Sequence, residues 1–160
     1  METVLFSVAV ILELIYIFLF LASIKQPGFR FWPPPSWHSW QFFTAWVLAL
    51  IVVSIGLYLG LLDFDSGFLP SLEWRLPVAL VFFIFGTSLG TWSYWVFGFR
   101  TTLGLGPKLI LTGPYRYMRN PQYIGDSLNA VAFMLLTNSW MAWIIAILGI
   151  VLNALAPFTE

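Results

Sequence analysis

Apolar residues occur along this chain in long blocks that short polar segments separate. Each of the first three blocks is long enough for a helix that crosses a bilayer, which takes about 20 residues. The last block, residues 123–155, is too long for one such helix, and Thr137-Asn138-Ser139 interrupts it. A helical hairpin fits this block better than a single tilted span, which remains the alternative. The pattern predicts an all-α, polytopic membrane bundle of about five transmembrane helices, over residues 4–24, 42–62, 76–99, 122–137 and 140–155.

The composition agrees with this pattern. Charged residues make up 9% of the chain, whereas soluble domains carry about a quarter. With 160 residues, we expect one transmembrane domain, residues 1–160. A formal net charge of +0 argues against a nucleic-acid partner. The chain has no cysteine and one histidine, His38, so we expect no disulfide and no metal site.

The distribution of charges predicts the orientation in the membrane. Basic residues follow the first and third spans: Lys25, Arg30, Arg100, Lys108, Arg116 and Arg119. The loop between the second and third spans instead holds three acids and Arg75. The positive-inside rule then places the N-terminus outside, and the loop 100–121 and the C-terminus in the cytoplasm. Tryptophans flank these segments, and we expect Trp32 and its neighbours to lie in the interfacial belt.

Two pairs of glycines predict close helix contacts. Gly56 and Gly60, and likewise Gly86 and Gly90, are spaced so that helices approach closely in lipid. We expect packing at both faces, which are also candidate surfaces for a membrane-protein partner. The alternative for the second face, which also carries Thr87 and Ser88, is the wall of a cavity.

The segment from Thr112 to Asp126 is polar between apolar blocks, and it contains the candidate chemistry. Asn120 followed by Pro121 is typical of a helix start, where free N–H groups attract anions. Two arginines precede this start and three tyrosines surround it, so an anion and a sulfonium or ammonium group could bind together. These features suit a zwitterionic cofactor such as S-adenosylmethionine. They also suit an interfacial loop that contacts lipid phosphates, and residue types alone leave both interpretations open.

The order of these residues resembles the signature of the membrane methyltransferases that include isoprenylcysteine carboxyl methyltransferase and the phospholipid N-methyltransferases. The match runs through Leu111-Thr-Gly-Pro-Tyr-Arg-Tyr-Met-Arg-Asn-Pro-Gln-Tyr-Ile-Gly125, and the similarity covers about residues 76–160. The resemblance implies a S-adenosylmethionine site at the cytoplasmic face and a membrane lipid or lipidated acceptor that enters sideways. It implies these cofactor-binding residues: Gly113, Tyr115, Arg116, Arg119, Asn120, Pro121, Tyr123, Gly125 and Glu160. It assigns no catalytic residue.

The chain departs from the family pattern in three ways. Asn120 replaces the usual histidine, no arginine precedes Glu160, and the sequence stops at the first of two expected glutamates. A shortened chain or a divergent member would explain these departures. A non-catalytic membrane subunit with the same fold is therefore the second hypothesis for function. A third is an NADPH-dependent enzyme similar to sterol reductases, because Tyr123-Ile-Gly-Asp126 matches the end of their binding pattern.

Four further polar residues fall inside apolar spans. An ionisable group such as Glu13 is costly in a bilayer and usually faces the bundle interior or a cavity. Asp126, Asn129 and Asn153 lie on the hairpin and are candidates to line the same cavity. Asp126 alternatively favours the positive start of its helix.

Overall fold

The computed structural model describes residues 1–26, 28–105 and 111–159. Within these ranges the secondary structure is helical, which confirms the predicted polytopic bundle. Five helices form the bundle: α1 (Glu2–Lys25), α2 (Trp40–Leu62), α3 (Leu72–Phe97), α5 (Pro121–Thr137) and α6 (Trp140–Leu155). A short helix α4 (Phe99–Thr102) follows α3, and 3₁₀ turns cover Gly113–Arg116 and Ala156–Phe158.

Four helical segments of the described chain are long and apolar enough to cross a membrane. These are α1, α2, α3 and α6 together with the 3₁₀ turn that follows it. Helix α5 is shorter, at 17 residues, and packs against α3 and α6 inside the bundle. Large apolar side chains such as Phe18 and Phe85, both 67% exposed, cover the outer surface. A helix bundle that is apolar on the outside is suited to lipid rather than water.

The hairpin turn ends the bundle on the side opposite the motif. Asn138 closes α5 in the left-handed conformation with φ 44°, and the Ser139 hydroxyl caps α6 by accepting from Ala142 N at 3.1 Å. Asn138 also donates to Asp65 Oδ1 at 2.9 Å. The buried Arg75 pairs with the same carboxylate at 2.5 Å and donates to Leu135 O at 3.1 Å. The loop between α2 and α3 is therefore pinned to the turn of the hairpin.

The glycine pairs pack inside the chain, as expected. A side chain at Gly60 would meet the Phe133 ring at 2.5 Å, and one at Gly56 would meet Ile145 at 3.2 Å. A side chain at Gly86 would lie 2.8 Å from Gly125 O on α5. Both glycine faces are thus covered by the chain's own helices, and their use by a partner protein stays a prediction.

Candidate functional site

The motif begins with a 3₁₀ turn that is fixed against α3. Gly113 has φ 59°, a conformation that favours glycine. A side chain there would also lie 2.7 Å from Val96 on α3. Tyr115, in the same turn, stacks on Phe97 with ring centroids 4.8 Å apart and planes 9° apart. The start of the motif therefore rests on the end of α3.

Helix α5 starts at Pro121 with Asn120 in the capping position, as predicted. However, the Asn120 side chain makes no capping hydrogen bond, so the expected capping by the amide is wrong. Pro121 itself is buried. The proline, which presets the backbone angle of the first helical residue, accounts for the helix start without a side-chain cap.

The two motif glycines lie directly against α3. The position of a Gly113 side chain is occupied by Val96, and that of a Gly125 side chain by the backbone of α3. A Cβ atom on Gly125 would lie 2.8 Å from both Gly86 O and Gly90 N. These glycines therefore allow α3 to approach the motif closely, and their assignment to a cofactor site stays a prediction.

The charged motif residues lie at the rim. Arg116 and Arg119 are exposed, and neither forms an ion pair with the residues that the structure describes. Tyr117 is 75% exposed. Glu160, the remaining predicted cofactor residue, lies outside the described residues. The assignment of Arg116, Arg119 and Glu160 to a cofactor stays a prediction.

Tyr123 connects the motif to the first cytoplasmic loop. Its hydroxyl accepts a hydrogen bond from Trp32 Nε1 at 3.2 Å. Trp32 is only 8% exposed and packs almost parallel to Phe20, at 6.2 Å between ring centroids. The expectation that Trp32 is a belt residue is therefore wrong, because this ring is buried beside the motif.

A narrow crevice lies between these groups. Its volume is about 10 Å³, which is about the space one water molecule needs. Tyr115 and Asn120 line it from the motif, and Thr101 from α4. Four residues line both this crevice and a larger neighbouring cavity: Trp32, Thr102, Gln122 and Tyr123.

The larger cavity has a volume of about 530 Å³ and lies inside the bundle. That volume is within the range of roughly 300–1,000 Å³ that is typical of small-molecule sites. All five bundle helices contribute to its wall, which is mostly apolar. The lining residues run from Ala142 on α6 to Ala156 in the 3₁₀ turn after it, a stretch of about 21 Å at 1.5 Å per helical residue.

The polar groups of this cavity are acids, amides and hydroxyls. As expected, Glu13 faces the interior, and Asp126, Asn129 and Asn153 line the same cavity. Tyr94 adds a phenol from α3. Among the described lining residues there is no lysine, arginine or histidine. The cavity is therefore suited to cations and hydrogen-bond donors rather than to anions.

Three buried polar atoms at the cavity wall lack a hydrogen-bond partner within the described chain. They are Glu13 Oε2, Trp46 Nε1 and Thr102 Oγ1, and all three residues line the cavity. Buried polar groups in native proteins are nearly always paired, so each such atom needs an explanation. A bound ligand or ordered water would pair them. Thr102 and Trp46 were not candidates from the sequence, since neither lies in the motif.

The cavity has an opening toward lipid between α2 and α3. These two helices make almost no direct contact, although each packs on other helices. Val53 and Leu57 of α2 and Tyr94 of α3 line the cavity and are 58%, 49% and 41% exposed. An apolar molecule in the bilayer therefore has a lateral path to the interior.

A family model described as phospholipid methyltransferase matches residues 74–160, which is more than half of the chain. This match confirms the resemblance that the motif indicates. The matched region contains nearly all of α3, the motif and the hairpin, whereas α1, α2 and Trp32 lie outside it. The comparisons with curated proteins and with solved structures find no match.

Proposed function

We propose, from the premise that the chain belongs to the phospholipid methyltransferase family, that it transfers a methyl group from S-adenosylmethionine to a lipophilic acceptor. The observation that carries this proposal is the internal cavity of about 530 Å³, because the motif helix α5 forms one of its walls. The apolar lining suits a lipid chain, and the gap between α2 and α3 suits its entry from the bilayer.

The residues that line the cavity match some features of the methyl donor, S-adenosylmethionine. Glu13 and Asp126 contribute carboxyl groups to the cavity wall, and Tyr94 and Tyr123 add aromatic rings, which favour a positive sulfur. Thr102, whose buried hydroxyl has no hydrogen-bond partner in the described chain, lines both the crevice and the cavity. Arg116 and Arg119 are the basic residues nearest in sequence to α5, and they would pair with the donor's carboxylate only at the rim.

When bound, S-adenosylmethionine would supply an electrophilic methyl group on a positively charged sulfur, and it would leave as the thioether S-adenosylhomocysteine, whose sulfur keeps the electron pair of the broken C–S bond. The apolar wall excludes water from the reactants. The charged sulfonium of the donor is therefore less well solvated there than in water, which favours the neutral thioether product. Trp32 and Tyr123, joined by their hydrogen bond, hold the wall between crevice and cavity in place. The chain then catalyses by orienting the two reactants, which accounts for much of the barrier reduction in bimolecular steps.

We further propose that the motif faces the cytoplasm. Lys25 and Arg30 follow α1, and Arg100 follows α3, at the same end of the bundle as the motif arginines. The opposite end carries Asp63, Asp65 and Glu73 around the buried Arg75. The positive-inside rule then places the N-terminus outside and the C-terminal end of α6 in the cytoplasm.

Titration of the full-length protein with S-adenosylhomocysteine in an isothermal calorimeter tests the proposed function. We expect binding with a dissociation constant in the micromolar range, about −8 kcal/mol, and no heat with NADPH. Binding of NADPH alone would support the reductase-like alternative. Binding of neither ligand to folded protein would support the non-catalytic subunit. Either of these two results would overturn the proposal.

A pair of arginine variants separates a cofactor site from an interfacial loop. We expect Arg119→Ala to weaken S-adenosylhomocysteine binding by about tenfold, the usual cost of a lost charge-assisted hydrogen bond. Arg100→Ala, which removes a basic residue of the same face outside the motif, should leave binding unchanged. Equal small effects of both variants would instead show that the motif arginines contact lipid phosphates.

A further inference from the structure

We propose that Trp32 closes the internal cavity toward the water at the motif end of the bundle, and that its indole ring must rotate aside before a water-soluble donor can enter. This inference rests on the proposed function, because it concerns the way by which S-adenosylmethionine would reach the cavity. It assigns a task to the loop between α1 and α2, which the family match does not cover.

A water-soluble donor needs an entrance other than the lateral gap. That gap between α2 and α3 faces lipid, and the transfer of a charged molecule through hydrocarbon is costly. At the motif end the cavity adjoins the crevice, whose volume of about 10 Å³ holds about one water molecule. This passage is too narrow for a molecule of the donor's size. A residue between the crevice and the cavity must therefore move.

Trp32 is the residue of this boundary that can move with the least disturbance. Four residues line both spaces: Trp32, Thr102, Gln122 and Tyr123. Thr102 ends α4, and Gln122 and Tyr123 lie in the first turn of α5, which packs against α3 and α6. Trp32 instead lies in a loop and has the largest side chain of the four. Rotation of this ring opens the passage without displacing a helix.

The indole ring is in a closed position in this structure. It is 8% exposed and lies almost parallel to Phe20 of α1, at 6.2 Å between ring centroids. On α5, the Tyr123 hydroxyl accepts its hydrogen bond at 3.2 Å. A side chain at Gly104, in the loop after α4, would begin 3.1 Å from the same ring. The ring therefore fills the space between α1, α5 and that loop.

The backbone beside Trp32 is held on both sides. Phe31 is fully buried, and its N–H donates to Ser23 Oγ on α1 at 2.7 Å. Three prolines, residues 33–35, follow Trp32 and restrict the backbone there. Opening is therefore a rotation of the indole ring rather than a swing of the loop. The hydrogen bond to Tyr123 opposes this rotation.

The rate at which a single cysteine in the cavity is modified tests this inference. The chain has no cysteine of its own, so Ala130→Cys, on the cavity wall two turns along α5 from Tyr123, provides the reporter. The reagent is a thiosulfonate with a trimethylammonium group, which is water-soluble and does not cross lipid. It is added to the full-length protein in nanodiscs, and intact mass measures the modified fraction. We expect Ala130→Cys to react much more slowly than Ser36→Cys, which is exposed in the same loop as Trp32.

Variants of the boundary should change the rate of the Ala130→Cys reporter. We expect Trp32→Ala to raise it by about tenfold or more, because the ring that closes the passage is removed. Tyr123→Phe keeps its ring but loses the hydroxyl that accepts from Trp32, so we expect an increase of about fivefold. Trp40→Ala is the matched control. Trp40 is 54% exposed at the same end of the bundle and lies outside the lining of both spaces, so its loss should leave the rate unchanged.

A second cysteine position separates a closed passage from general loosening of the bundle. Ala9 is fully buried outside the described lining, and Ala9→Cys should stay unreactive in every variant. A reporter in Ala130→Cys that Trp32→Ala leaves unchanged, or that Trp40→Ala accelerates equally, would overturn the inference. If Trp32→Ala does not fold, an unchanged rate in Tyr123→Phe overturns it. Because the labelling uses neither donor nor acceptor, it can fail or succeed separately from the S-adenosylhomocysteine titration.

Discussion

Ala146→Phe should slow methyl transfer strongly while the protein remains folded. Ala146 lines the internal cavity on α6, so a phenyl ring there would occupy the space in which we propose that the acceptor binds. The cavity of about 530 Å³ has room for the ring, so we do not expect the overpacking cost of about 1–3 kcal/mol that a filled core would impose. We expect the rate to fall by about a hundredfold or more, as small misplacements of reactants already cause losses of that size.

Ala154→Phe is the matched control for this substitution. Ala154 lies on the same helix but is exposed on the lipid-facing surface, so the same ring should leave the rate unchanged. Both variants are compared with the wild type by methyl-transfer rate and by thermal unfolding followed on a size-exclusion column. A wild-type rate in Ala146→Phe, or an equal loss in both variants, would contradict the placement of the acceptor in this cavity.

Gly125→Ala should destabilise the bundle strongly, whereas Gly90→Ala should not. The new Cβ atom at Gly125 would lie 2.8 Å from Gly86 O and from Gly90 N. These are backbone atoms of α3 that cannot rotate away, so α3 and α5 must separate. We expect a loss of about 1–3 kcal/mol in the free energy of unfolding, the usual effect of overpacking.

Gly90 provides the control within the same helix contact. The nearest atom to a Cβ there is Tyr94 Cε2 at 4.0 Å, an ordinary contact. Alanine also favours a helix over glycine by about 1 kcal/mol, so Gly90→Ala should be neutral or slightly stabilising. Thermal unfolding of both variants in one detergent measures the difference. Equal midpoints for the two variants would show that α3 and α5 are not packed as described.

The helices were predictable because the bilayer fixes their length. Spans expected at 4–24 and 42–62 are observed as Glu2–Lys25 and Trp40–Leu62. The third helix begins at Leu72 rather than 76, so it includes the charged residues Glu73 and Arg75. Arg75 is instead buried through its contact with Asp65, a long-range pairing that hydropathy does not show.

The sequence predicts only those features of the candidate site that depend on a residue and its near neighbours along the chain. The helix start at Pro121 and the inward position of Glu13 follow from residue type and depth in the membrane. The role of Trp32 does not, since its hydrogen-bond partner Tyr123 is 91 positions away. The spacing of Gly86 and Gly90 likewise suggests equal roles, whereas only Gly86 would collide with α5.

Transfer of a labelled methyl group is the most direct measurement of the proposed function. The full-length protein in nanodiscs of membrane lipid extract is incubated with S-adenosylmethionine that carries a tritiated methyl group, and the organic-solvent extract is counted. We predict label in the lipid extract that increases with time and protein, and that S-adenosylhomocysteine suppresses. An extract that carries no more label than a protein-free sample, from protein that elutes as a folded species, would contradict it.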